Sequence, residues 1–166
     1  MSGKMGIILL MLTVAILFGA LSLAFFSAPT VGAYEIPWLF YANTLVLIGS
    51  SALLQGAWMR RQEANGKVWI KGAIIMGGIF LLGQLAAYGE LWQSGMWIDV
   101  SGRKMQFLYA LSGLHGLHLI GGLIFLGVVL GRFQRNESRI FELALYFWHF
   151  LGVLWVYLML VLILGV

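Results

Sequence analysis

Three histidines carry most of the chemistry open to this sequence. His115 and His118 lie in Ser112-Gly113-Leu114-His115-Gly116-Leu117-His118-Leu119-Ile120-Gly121-Gly122, and His149 lies in Phe147-Trp148-His149-Phe150. Imidazole can ligate haem or zinc, move a proton, or make hydrogen bonds. The i,i+3 spacing of His115 and His118 sets both on one side of a helix. Holding a metal there takes a further ligand from another helix, and His149 is the sole further histidine. No carboxylate falls at the same depth. The pattern therefore favours hydrogen bonding, with His115, His118 and His149 acting as a clamp between two helices and their neighbours, over a metal or haem site. A lipid-head or proton role stays open.

Other polar residues are spaced as helix faces. Glu142, Tyr146, His149 and Gly152 fall on one stripe, with His149 roughly 10 Å deeper than Glu142. Glu142 is expected to pair with Arg139 or Arg135, or else to contact a lipid or another subunit. Gln84 and Tyr88 share a face at i,i+4, and Glu90 is turned away from it. Asn43, Thr44, Ser50, Ser51 and Gln55 suit hydrogen bonds across helices of roughly 0.6 kcal/mol each. No nucleophile–base pair or carboxylate dyad marks a catalytic site, and the glycine-rich runs lack the context of a phosphate loop.

The elements that must position these groups are transmembrane. The chain has 166 residues, 61% hydrophobic and 10% charged, with mean hydropathy +0.95, against about 25% charged in soluble domains. Five apolar runs are each long enough to span a bilayer. They cover about 5–26, 37–59, 70–91, 105–131 and 140–166, and predict an all-α, five-helix polytopic bundle forming a single transmembrane domain. The first run is longer than the ~7–15 apolar residues of a signal peptide, and Ser-Ala-Pro at 27–29 is a poor cleavage site. Without cysteine the chain has no disulfide, iron–sulfur cluster or thiolate copper site. The net charge of +4 sits in short loops and builds no nucleic-acid surface.

Loop charge sets the expected orientation. With five spans, Lys4, Arg60, Arg61, Lys67, Lys71, Arg132, Arg135 and Arg139 share one side, and only Arg103 and Lys104 lie on the other. This places the N-terminus in the cytoplasm and the C-terminus outside. Tyr34, Trp38, Trp92 and Trp97 are then expected at the outer interface, and Trp58 and Trp69 at the inner one.

The stretch 112–122 resembles the Thr/Ser-Gly-x-His-Gly-x-His-x-x-x-Gly motif of subunit III of haem-copper oxidases. Phe147-Trp148-His149-Phe150 with Trp155 resembles that family's last-helix motif, and Glu142 matches its glutamate. Asn43-Thr44, Leu47 and Ser50-Ser51 match its Asn-Thr-x-x-Leu-x-x-Ser-Ser helix, and Gly77, Phe80 and Gln84 its Gly-x-x-Phe-x-x-x-Gln helix. The matches run in family order over 43–155 and resemble the short five-helix form. Two family acids are missing: Thr13-Val14 stands where a serine and a buried glutamate are usual, and Gly152 where an aspartate is usual. Proton-related roles of those acids do not carry over.

The resemblance implies an accessory subunit of a respiratory cytochrome c oxidase in a bacterial plasma membrane. Such a subunit has no redox centre, packs beside subunits I and II, which hold the haem and copper, and binds phospholipids. His115, His118, Glu142, His149, Gln84 and Glu90 are then structural, lipid-contact or subunit-contact residues. The nearest alternative is an accessory subunit of nitric oxide reductase. A small transporter or channel is a different class, and it would favour broken helices around a central site.

Overall fold

The computed structural model describes residues 2–29, 35–63, 65–95, 102–133 and 138–165. Tyr34, Trp97 and Arg135 lie outside these residues. Among the described residues the chain forms five α-helices and no strand: α1 (Ser2–Ser27), α2 (Trp38–Met59), α3 (Gly66–Gln93), α4 (Arg103–Arg132) and α5 (Ser138–Leu164). All five are long and apolar enough to cross a membrane, and the protein is a multi-pass, all-α membrane protein. In hydrocarbon a helix satisfies its own backbone polar groups, which is why apolar runs of this length adopt it.

Several helices extend past the apolar runs that predict them. α3 begins at Gly66 rather than near residue 70 and takes in Lys67 and Lys71. The apolar run reports where hydrocarbon begins, whereas the helix continues into the interface, where lysine is tolerated. Glycines mark two ends near the α3–α4 connection. Gly95 follows the last turn of α3 with φ 77°, and Gly102 precedes α4 with φ 84°. A side chain adopts that region only with strain.

The helices pack as a ring. α2 contacts α3 and α5, α3 contacts α4, and α4 contacts α5, while α1 lies against α4 and α5. Half of the most apolar stretch of α5 is buried, against 17% of that of α1. So α5 is the inner helix and α1 the peripheral one. α1 turns Val14, Phe18, Ser22 and Phe25 inward and leaves Ile8, Leu12, Ile16 and Leu23 exposed.

The centre of the ring is Trp148. A Cβ added at Gly77 of α3 would come within 2.8 Å of Trp148 Cη2, and one at Gly122 of α4 within 3.1 Å of Trp148 Cε3. The two glycines thus leave the indole room between two helices. Of the four glycines around the paired histidines, Gly122 alone is at a close approach. Gly113 and Gly116 have their nearest neighbours at 3.8 Å, and Gly121 has nothing within 4 Å.

Candidate functional site

The polar residues inside the bundle form a set of interhelical hydrogen bonds organised by two tryptophans of α5. Trp148 Nε1–H donates to Ser50 Oγ at 3.2 Å, and that hydroxyl donates to the Ala73 carbonyl of α3 at 2.8 Å. One serine therefore ties α5 to both α2 and α3. Two turns further on, Trp155 Nε1–H donates to Thr44 Oγ1 at 3.0 Å, and Thr44 donates to the Phe40 carbonyl at 2.9 Å. The Trp155 ring stacks on Phe40 at 5.8 Å and 7° and meets Phe80 edge-on at 4.9 Å.

Between α2, α3 and α4 a second set runs sideways. Asn43 Nδ2 donates to Gln84 Oε1 at 3.4 Å. Tyr88 donates to Ser112 Oγ at 2.8 Å, and Ser112 donates to its own Leu108 carbonyl at 2.7 Å. Asn43, Gln84 and Ser112 are all buried. Asn43 fills the space where residue 83 of α3 has no Cβ. Glu90 is half-buried; its carbonyl accepts from Ser94 Oγ at 2.9 Å, and its carboxylate makes no hydrogen bond or ion pair among the described residues.

The three histidines do not form the expected clamp. His115 is wholly buried, and among the described residues neither ring nitrogen has a hydrogen-bond partner. Its neighbours are aromatic: Trp155 at 5.1 Å, Phe80 at 5.9 Å and Phe18 at 6.5 Å between ring centroids. His118 donates from Nδ1 to the Leu114 carbonyl of its own helix at 2.7 Å. Its ring meets Phe18 edge-on at 5.7 Å and lines a groove between α1 and α4. Among the described residues, only His149 of the three bonds across helices, from Nε2 to Gln55 Oε1 of α2 at 3.1 Å. Helical spacing placed His115 and His118 on one side of α4, but a three-residue step turns a side chain by about 300°. That offset suffices to put one ring in the core and the other at the edge.

Glu142 has a contact partner that its spacing did not point to, while the charge of Arg139 also acts on it and Arg135 lies outside the described residues. Lys4 Nζ lies 2.9 Å from its Oε1, and Tyr146 donates to the same oxygen at 3.2 Å. α1 and α5 run parallel in the ring, so their first turns meet. A lysine 138 positions away in sequence therefore reaches the carboxylate. Sequence spacing carries no signal for that pair. Lys104 is a further residue that composition does not single out: it is buried, with Nζ 5.4 Å from the Phe25 ring centroid. Trp58 and Trp69 gather at the α2–α3 turn, beneath the guanidinium groups of Arg61 at 4.4 Å and Arg60 at 4.5 Å.

The bonded pairs join the residues that carry the sequence motifs. The sequence matches the family described as cytochrome c oxidase subunit III over residues 2–165. The chain belongs to the cytochrome c oxidase subunit III family. It is 32% identical to a cytochrome c oxidase subunit 3 of Synechocystis sp. over 70% of this chain and 52% of that protein. It is 35% identical to that of Spodoptera frugiperda over 75% of this chain and 86% of that protein. It is 36% identical to a probable cytochrome c oxidase subunit 3 of Mycobacterium tuberculosis over 68% and 59%. The chain spans about half the length of several curated relatives that it matches.

In this subunit III family member several motif residues contact one another inside the bundle. Thr44 and Ser50 accept the two indole N–H groups, Gly77 and Gly122 make room for Trp148, and Phe80 supports both Trp155 and His115. Val14, where the family usually has an acid, is buried at 4% exposure among apolar neighbours.

Proposed function

We propose that the chain is the accessory subunit III of a respiratory haem-copper terminal oxidase of the cytochrome c oxidase type. It stabilises the catalytic subunit, packs against subunits I and II, and binds phospholipid. Family membership over residues 2–165 carries this reading. The oxidase names of the relatives weigh against the nitric oxide reductase alternative.

Catalysis and redox chemistry belong to the partners in this reading, with haem and copper held there. What supports it is the separation of the imidazoles. His115 faces aromatic rings, His118 uses Nδ1 on its own helix, and His149 uses Nε2 on Gln55. Three rings so placed do not converge on one metal. His118, which lines the α1–α4 groove, and Glu142 and Glu90 at helix ends are the residues assigned to lipid or subunit contact. Gln84 is assigned to the interior network. The complex resides in a bacterial plasma membrane, with the N-terminus cytoplasmic and the C-terminus outside, as the loop charges support.

Purification in mild detergent tests the proposal. The chain is expected to emerge with haem-bearing polypeptides that consume oxygen. Recovery of the chain alone, or with a complex that reduces nitric oxide but not oxygen, refutes it.

A further inference from the structure

The flank between α2 and α5 carries a trough. Two adjoining cavities of about 530 and 460 Å³ share Thr44 and Val156. Trp38, Tyr41 and Ile163 line one end, and Ser51, His149 and Gly152 the other. The lining of α2 from Trp38 to Ser51 covers roughly 20 Å of helix axis, about two-thirds of the ~30 Å of bilayer hydrocarbon. The trough therefore starts at the Trp38 end of α2 and stops short of the opposite interface, with His149 still inside the hydrocarbon.

Apart from Tyr41 near one end and Thr44, whose hydroxyl is taken up by Phe40 and Trp155, its walls are apolar except at the Ser51–His149 level. His149 Nε2 faces Gln55 Oε1 at 3.1 Å. An amide oxygen only accepts, so Nε2 carries the proton and Nδ1 is left as an acceptor. The Gln55 amide nitrogen keeps two donors, and the Ser51 hydroxyl keeps one. None of these atoms has another partner among the described residues. Gln55 is exposed, and Ser51 and His149 are half-exposed. Hydrocarbon tails offer neither donor nor acceptor, so polar groups at this level call for a protein partner. Gly152 keeps the floor low beside them, which permits close approach of another backbone.

We propose that this trough is a docking face for one transmembrane helix of the haem-bearing partner. That helix presents a hydroxyl or amide side chain to the Ser51–Gln55–His149 level. The proposal rests on the subunit reading above and adds which face of the chain meets the partner.

The test uses the intact complex in its own membrane. A photoreactive benzophenone residue is placed at Ile48 or Val153 in the trough, 53% and 70% exposed, and at Leu82 or Leu85 on the outer face of α3, 68% and 65% exposed. Ile48 and Val153 are expected to cross-link to a haem-bearing polypeptide, and Leu82 and Leu85 are not. Lipid adducts alone, or adducts to a second copy of this chain, from a preparation that retains its haem-bearing partner overturn the docking face and leave the subunit reading standing. A preparation with no haem-bearing partner overturns both.

A second arm uses bulk. Val153→Trp should lower retention of the partner about tenfold, while Leu82→Trp retains it. Helical circular dichroism of both variants in detergent checks that each has folded. A folded Val153→Trp chain that keeps its partner in full overturns the proposal.

Discussion

Trp155 of α5 is satisfied on both its polar edge and its apolar face by a single helix. Its N–H reaches Thr44 Oγ1 at 3.0 Å, and its ring lies flat on Phe40, one turn earlier on α2, at 5.8 Å. The i,i+4 spacing of Phe40 and Thr44 thus presents a shelf and an acceptor to the same indole. Thr44→Val keeps the shape and removes the acceptor. It should lower stability in detergent by about 1 kcal/mol. Trp155→Phe in the Thr44→Val background should cost less than in the wild type, since the stranded donor goes with it. Strictly additive losses in the double-mutant cycle would show that the bond has no coupling energy.

The two neighbouring glycines of α4 should respond oppositely to one methyl group. Gly122→Ala places a Cβ about 3.0 Å from Leu151 Cδ1 and 3.1 Å from Trp148. The overpacking should cost roughly 1–3 kcal/mol. Gly121→Ala meets nothing within 4 Å and should be neutral or slightly stabilising. Thermal melts of the two variants in one detergent decide the matter. Equal melting temperatures would mean that Trp148 is not held between α3 and α4 as described.

His115→Leu should not weaken the bundle. Both imidazole nitrogens are buried and without partners among the described residues. An apolar side chain of similar volume therefore removes polar atoms without stranding any. His149→Leu, in contrast, strands Gln55 and should lower the melting temperature. The haem spectrum of the complex should be the same in both. Loss of a stoichiometric haem or metal from purified subunit with His115→Leu would establish a cofactor site in its place.

The Lys4–Glu142 pair should contribute little to stability. Its side chains are 51% and 25% exposed, and exposed ion pairs are screened by water and salt. Glu142→Gln should leave the melting temperature of the complex near that of the wild type in low and in high salt. A marked, salt-dependent drop would show that the pair anchors α1.

Orientation is open to a direct test with reporters. A periplasm-active reporter fused after Val166 should be active, and the same reporter inserted between Arg132 and Arg139 should be inactive. The reverse pattern would overturn the assignment of loop charges to the cytoplasm.

What was legible in the chain is what local physics dictates. Apolar runs of spanning length set the number and approximate place of the helices, because a backbone in hydrocarbon has no other way to pair its polar groups. Periodicity also put Gln84 with Tyr88 on one face, and motif resemblance gave the family. Tertiary structure decided everything that depends on which face meets which neighbour. It separated His115, caged by Phe18, Phe80 and Trp155, from His118 at the α1–α4 edge. It matched His149 with Gln55, brought Lys4 into contact with Glu142, and made Gly122 tight while leaving Gly121 open. Helical spacing fixes relative angles within one helix. The rotation of each helix against the others is set by long-range packing around Trp148 and Trp155, residues whose partners lie 98 and 111 positions away in the chain.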